Sequence, residues 1–204
     1  MEYNKLATKE IVERVAQALK ERNVEAIMIE SGKDALAKIK ELVPKGVSVM
    51  NGSSTTLEQI GFVEYLKTGE HGWNNLHASI LTEKDPAQQS ILRKQAVLSD
   101  YYLGSVHALA ETGQFVVASN SGSQLPHIVF TSPNIIFVVS TKKIVPSLAD
   151  TYRRLEEHVI PLEEKHVQEK YGVGTYPSKI VTFNAEKQSK RKIKIILVNE
   201  DLGF

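Results

Sequence analysis

The chain has 204 residues, of which 42% are hydrophobic and 24% are charged, with a formal net charge of +1 and no cysteine. These values are those of a globular protein, and the small net charge gives no support for binding to nucleic acids or membranes. The lack of cysteine excludes disulfides, thiolate catalysis and cysteine-ligated zinc or iron–sulfur sites within this chain.

The lengths of the apolar runs and the character of the opening stretch bear on location and domain organisation. No apolar run approaches the roughly 20 residues that are needed to span a bilayer. The opening stretch MEYNKLATKEIVERVAQ is charged and amphipathic and lacks the features of a secretory signal. We therefore expect one cytoplasmic domain covering residues 1–204.

The amino-terminal part of the chain predicts helices that alternate with strands. Ile11, Val15 and Leu19 recur at every fourth position and predict a helix at 6–22. The next elements are a strand at 24–29, a helix at 33–42 that ends before Pro44, and a strand at 47–50. This spacing predicts a pair of parallel strands joined by a right-handed crossover.

A loop of small polar residues, NGSSTTLEQIGF at 51–62, follows the second strand directly. In α/β sheets, loops that leave the carboxyl end of a strand and begin a helix bind phosphates and carboxylates. The alternative is local capping, because Thr55 and Glu58 have the spacing of a capping box. No GxxxxGK[ST] or GxGxxG pattern is present, so a nucleoside triphosphatase or an ordinary dinucleotide fold gains no support.

The segment at 65–83 contains the single tryptophan, Trp73, between His71 and His77. The spacing of the two histidines matches no ligand motif, so we predict packing roles and no metal site. Asp85 then begins a helix at 85–98, with Pro86 at its first position.

The stretch SDYYLGSVHALAETGQFVVASNSGSQ, at 99–124, carries the strongest indication of a site. Strands are predicted at 101–106 and 114–119, joined as a hairpin by a tight connection at 108–113. The loop after the second strand, at 119–123, consists almost wholly of small polar residues. Small side chains let ligand atoms approach backbone N–H groups, so this loop is suited to a polar or anionic ligand.

The remaining elements end with two strands. NIIFVVS, at 134–140, is typical of a buried central strand, and Lys142 and Lys143 follow it at the edge that the other strand-end loops occupy. The other predictions are a short helix at 124–130, a helical region at 147–171 broken or kinked at Pro161, a loop at 172–178, and strands at 179–183 and 193–199. The basic run KQSKRK, at 187–192, is interpreted as a solvated hairpin tip rather than a nucleic-acid patch.

Several motifs, in this order, resemble the lactate-utilisation (LUD) domain family, specifically its stand-alone members. They are SSTTLEQIG (53–61), SDYYLGSVHALAETG (99–113), ASNSGSQ (118–124), IIFVVSTKKIV (135–145) and LVNEDLGF (197–204). The resemblance implies an α/β fold with a three-layer, Rossmann-like, mostly parallel sheet, similar to the ribose-phosphate isomerase, glucosamine-phosphate deaminase and CoA transferase superfamily.

That architecture brings three loops together at the carboxyl edge of the sheet. The expected ligand-binding residues in these loops are Gly52, Ser53, Ser54, Thr55, Thr56, Gly104, Thr112, Gly113, Asn120, Ser121, Gly122 and Ser123. Hydroxyls, amides and backbone N–H groups would hold an anionic head group there.

The predicted catalytic candidates are Glu111, with Asp100 and His107 as alternatives. A glutamate can act as the general base of an isomerase or as the nucleophile of a CoA transferase, and the sequence does not choose between them. The competing interpretation of Glu111, Thr112 and Gly113 is a tight turn in which the glycine takes a positive φ.

Three functions stay open at this point. The first is an accessory role in L-lactate oxidation to pyruvate, with separate iron–sulfur subunits as partners and a small anionic metabolite as ligand, which is what the resemblance implies. The second is a free-standing isomerase or transferase acting on a sugar phosphate or acyl-CoA, and the third is a non-catalytic regulatory module. No cofactor, metal, nucleic acid or membrane partner is predicted, and assembly into a homo-oligomer is left open.

Overall fold

The computed structural model describes residues 2–204, with the backbone alone for Tyr171. Its strands, in chain order, are β1 (Val24–Ile29), β2 (Ser48–Asn51), β3 (Asn74–Asn75), β4 (Tyr101–Gly104), β5 (Ala108–Ala110), β6 (Phe115–Ser119), β7 (Asn134–Ser140), β8 (Ile144–Val145), β9 (Lys179–Phe183) and β10 (Lys192–Val198). Its α-helices are α1 (Lys9–Glu21), α2 (Gly32–Leu42), α3 (Thr55–Gln59), α4 (Phe62–Thr68), α5 (Leu76–Thr82), α6 (Pro86–Gln95), α7 (Leu148–Arg154) and α8 (Ile160–Tyr171).

Six strands form the main sheet in the order β1-β10-β7-β4-β2-β3, and every neighbouring pair is parallel. The prediction that β1 and β2 are neighbours is wrong, because β10, β7 and β4 lie between them. The most apolar strands, β7 and β10, occupy the centre, where both faces are buried. The more polar β1 lies at the edge, with Met28 55% exposed.

The alternation of side chains along the central strands defines a core on each face of this sheet. Ile135, Phe137 and Val139 of β7 pack with α1 and with Phe115 and Phe183. The intervening side chains of β7 pack on the opposite face with helices α2, α3 and α4. The three-layer, mostly parallel α/β architecture predicted from the sequence is therefore confirmed.

A second sheet, in the order β8-β5-β6-β9, packs on the α1 side of the main sheet. The predicted hairpin between 101–106 and 114–119 is wrong, because β4 pairs with β2 and β7 in the main sheet while β5 forms the hairpin with β6. The chain passes from one sheet to the other between Gly104 and Ala108. The predicted tight turn lies between β5 and β6, where Gly113 has a φ of +87° and a Cβ would come 2.9 Å from the Ala18 backbone.

The long helical region before the last two strands is continuous, but its α-helical hydrogen bonding is interrupted. A π-turn at Leu155–Val159 joins α7 to α8, and the Ile160 N–H donates to the Leu155 carbonyl five residues earlier. Pro161, which has no N–H to donate, follows this turn directly. The predicted break at Pro161 is therefore a change of hydrogen-bonding register within one helical segment.

The predicted cap of α6 and the predicted packing role of His71 are both observed, whereas the predicted cap of α3 is not. Asp85 caps α6 by accepting a bond from the Ala87 N–H, as predicted, whereas the cap of α3 is Ser54 rather than Thr55. His71 is buried, and its Nδ1 accepts a bond from the backbone N–H of Trp73.

Across residues 2–204, no three His, Asp or Glu side chains come together as a metal site. No helix in that range is long and apolar enough to cross a membrane.

The basic segment at 187–192 connects strands of different sheets, so it is not the predicted hairpin tip. The side chain of Arg191, in this segment, is 8% exposed and pairs with Glu186 at 2.9 Å. Its guanidinium also donates to the carbonyls of Val129, at 3.0 Å, and His127, at 3.1 Å, in the π-turn at His127–Thr131. Arg191 therefore donates to backbone carbonyls of the π-turn, including the His127 carbonyl that also accepts from the Ser132 N–H.

We expect Arg191→Met to lower the free energy of unfolding by about 3 kcal/mol, because it leaves Glu186 as a buried unpaired carboxylate and strips carbonyls of their donor. The exposed neighbour Lys190 supplies the control, since Lys190→Met removes the same charge without buried contacts. Urea denaturation of both variants measures the effect. Equal stability of the two variants would contradict the assigned role.

Candidate functional site

A cavity of about 500 Å³ opens where the main-sheet strands β2, β4 and β7 end. Its other walls come from the end of β6, the helical segment 155–167, the loop 175–177 and the last two residues of the chain. In parallel α/β sheets, ligands bind outside the carboxyl ends of the strands, so this is the expected position of a ligand site.

Small hydroxylated residues form the wall of the cavity next to the sheet. The predicted binding residues that line it are Gly52, Ser53, Ser54, Thr55, Thr56, Gly104, Asn120, Ser121 and Ser123. A Cβ at position 52 would lie 2.5 Å from the Tyr102 hydroxyl, which itself donates to Gln124, so this wall requires glycine there. Thr112, Gly113 and Gly122 lie outside the lining.

Lys143 supplies a positive charge to this hydroxyl-rich wall. Its side chain is 4% exposed, and its Nζ donates to the hydroxyls of Thr56 and Ser105, each at 3.1 Å, and to the Val106 carbonyl at 3.3 Å. None of these groups is a carboxylate, and no acidic side chain in the described part of the chain forms an ion pair with it. The Nζ is thus positioned by neutral oxygens, and no carboxylate among them offsets its charge when it is protonated.

Burial, together with the positive charges of Arg154 and Lys142, lowers the pKa of Lys143 to about 7. Lys142, in contrast to Lys143, has an acidic partner: it pairs with Asp201 and also donates to the Gly203 carbonyl at 2.7 Å. A buried lysine without a counter-charge favours loss of its proton, and an anion bound beside it favours retention. The protonation of Lys143 is therefore linked to occupancy of the cavity.

Arg154 forms a second buried cation behind the wall. It is fully buried, and its Nη1 donates to the His107 carbonyl at 2.5 Å, while Nε and Nη2 have no hydrogen-bond partner among the described residues. The guanidinium carbon lies 5.9 Å from the centre of the Tyr3 ring, at cation–π distance. Arg154 thereby holds the backbone at His107 and adds to the positive potential of this wall.

His107 is the one predicted catalytic side chain of the three that lines the cavity. Its Nδ1 accepts a bond of 3.1 Å from the Ala118 N–H, which leaves the ring proton on Nε2. Burial and the charges of Lys143 and Arg154 lower its pKa to about 3. The imidazole is therefore neutral near pH 7 and is suited to donating a hydrogen bond rather than to acting as a base at that pH.

The two predicted catalytic carboxylates lie elsewhere. Glu111 is in the β5–β6 turn and pairs with Arg14 at 2.8 Å. Asp100 precedes β4 at the opposite edge of the main sheet, where the Ser48 hydroxyl and N–H donate to it and hold its pKa below the usual range. Neither side chain lines the cavity.

Sequence reasoning left several lining residues out of the predicted site. They include Ser105, Gln124, Lys143, Glu163, His166, Gly203 and Phe204, together with apolar residues of the helical segment. The signal for Lys143 was present, because two lysines directly after a buried strand must lie at the strand-end edge. No local pattern connects Phe204 to the cavity, since its place depends on how the end of the chain folds back.

An open parallel sheet with a ligand-sized cavity at the carboxyl ends of its strands defines the class of Rossmann-like α/β proteins. Within that class the chain belongs to the LUD domain family, whose model matches residues 12–198. This membership associates the protein with lactate utilisation.

The solved structures agree with this assignment at the level of the fold. The crystal structure of a DUF162 family protein from Deinococcus radiodurans aligns with a TM-score of 0.53 and 10% sequence identity, covering 96% of this chain and 100% of that chain. The comparison with curated proteins gave no significant match.

Proposed function

We propose that this protein serves lactate utilisation by binding a small organic anion in the strand-end cavity, with Lys143 as the cationic contact. The observation that carries the proposal is the buried Lys143 ammonium, which is held by neutral oxygens at a hydroxyl-lined wall. A carboxylate or phosphate at this wall would supply the missing counter-charge, and the surrounding hydroxyls and His107 would supply hydrogen bonds.

The family associates such a protein with the oxidation of L-lactate to pyruvate, which releases two electrons. Our chain contains no cysteine and therefore no thiolate ligands for an iron–sulfur cluster. We propose an accessory role, in which the chain binds the metabolite and separate cluster-bearing subunits accept the electrons.

Calorimetric titration tests the binding proposal. L-lactate, pyruvate and inorganic phosphate are each titrated into the wild-type protein and into Lys143→Met. We expect at least one of these anions to bind, and its affinity to fall about 10- to 100-fold in the variant, because a charge-assisted hydrogen bond contributes about 1.5–3 kcal/mol.

Two variants control this titration. Lys194→Met removes an ammonium that pairs with Glu25 away from the cavity, and Glu111→Gln removes the predicted catalytic carboxylate. Both are expected to bind as the wild type does. An affinity that is unchanged in Lys143→Met, or lost in Glu111→Gln, would overturn the assignment of the site.

A further inference from the structure

The cavity has an apolar wall in addition to its hydroxyl wall. Ala118, Leu155 and Val159 are buried against one another, and Ile160 and Phe204 pack partly buried against them. This cluster is separate from the two cores that cover the faces of the main sheet. All five of its members line the cavity, so the cluster faces the space that a ligand would fill.

The helical segment that carries this wall is irregular at the same point. Leu155 and Val159 are the first and last residues of the π-turn between α7 and α8. Such turns are uncommon and occur often at functional sites, because they alter the direction of side chains along a helix. The side chains that begin and end the turn here are the two most deeply buried members of the helical part of the apolar wall.

The volume of the cavity also favours a ligand larger than a three-carbon acid. About 500 Å³ lies within the range of pockets that enclose ligands of drug or cofactor size. A three-carbon acid would occupy the hydroxyl wall and leave the partly buried Ile160 and Phe204 of the apolar wall in contact with water. Covering that wall with ligand would remove apolar surface from water and add affinity.

We propose that the preferred ligand is an anionic amphiphile, with its head group at Lys143 and an apolar body of several carbons against Leu155, Val159 and Phe204. This inference rests on the proposed anion site and names the class of molecule that the site takes. Glu163 of helix α8 also lines the cavity, and its carboxylate disfavours a second negative charge on the ligand near that helix. The ligand is therefore charged at one end.

A chain-length series tests the inference. Propionate, butyrate, hexanoate and octanoate are titrated into the wild-type protein by calorimetry. Each added methylene is expected to raise affinity about fourfold until the apolar wall is covered, as hydrocarbon burial predicts. Octyl phosphate then compares a phosphate head with a carboxylate head on the same chain, and suberate is expected to bind more weakly than octanoate because of Glu163.

Phe204→Ala separates the two walls. The variant is expected to lose roughly fivefold in affinity for octanoate and to keep its affinity for propionate. Phe130→Ala is the matched control, because Phe130 is 76% exposed and lies outside the lining. Phe204 lies after β10 in a segment that forms no helix or strand. Shortening its side chain to that of alanine therefore leaves both sheets intact.

The outcomes distinguish this inference from the function on which it rests. Affinity that does not change with chain length, together with a loss in Lys143→Met for every acid, overturns the amphiphile and supports the anion site. Affinity that rises with chain length but is unchanged in Lys143→Met overturns the anion site. Equal octanoate affinity in Phe204→Ala and Phe130→Ala overturns the assigned apolar wall.

Discussion

The free energy of unfolding is expected to rise from pH 7 to pH 9, by up to about 1.4 kcal/mol per pH unit, and Lys143→Met is expected to remove most of this rise. The cause is the difference in pKa between the folded chain, where it is about 7, and the unfolded chain, where it is near 10.5. Between these values the unfolded chain binds the proton and the folded chain does not. Stability therefore increases with pH in this window, and below pH 7 the full cost of a buried ammonium applies.

Urea denaturation at pH 7, 8 and 9 measures the slope, and Lys194→Met is the control that should keep it. The window ends at pH 9 because burial also raises the pKa of Tyr102. Above about pH 10 that phenol would ionise in the unfolded chain first and would favour unfolding. A wild-type slope equal to that of Lys143→Met would show that Lys143 stays protonated in the folded protein.

The second expectation concerns the ligand: affinity for an anion should fall about tenfold for each pH unit above 7. The anion needs the ammonium form of Lys143, and above pH 7 the empty protein has lost that proton, so binding must take it up again. His107 does not contribute to this dependence, because its pKa of about 3 keeps it neutral throughout.

Calorimetry at pH 8 in two buffers with different ionisation enthalpies counts the protons. The wild-type protein should take up close to one proton per octanoate bound, and the residual binding of Lys143→Met should take up none. Constant affinity from pH 7 to pH 9, with no proton uptake, would mean that the charge of Lys143 does not control binding.

Local sequence patterns predicted the positions of the helices and strands better than they predicted which strands pair with each other. The strands at 24–29, 134–140 and 179–183 have the bounds that alternation and apolar runs indicated. Strand order was not predictable in this way, because β10 enters the sheet between β1 and β7 through contacts that no local pattern records. The assumption that consecutive strands pair also produced the false hairpin with 101–106.

That error explains much of the difference between the predicted site residues and the residues that line the cavity. A hairpin from β4 to β6 would place its connecting turn at the carboxyl end of β4 and the start of β6, whereas the actual turn between β5 and β6 carries Glu111 to Arg14 on helix α1. The loops that leave β2, β4 and β6 did not depend on this assumption. Their small hydroxylated residues lie at the cavity, as their composition indicated.

The position of β10 also has a consequence for how the chain reaches its native state. Val24 pairs with Ile193, so β1 gains its sheet neighbour only after all the elements from α2 to β9 have been synthesised. Until then β1 and β7 expose the edges and apolar surface that β10 covers. High contact order of this kind slows folding and lengthens exposure to aggregation, so the nascent protein depends on β10 to complete the sheet.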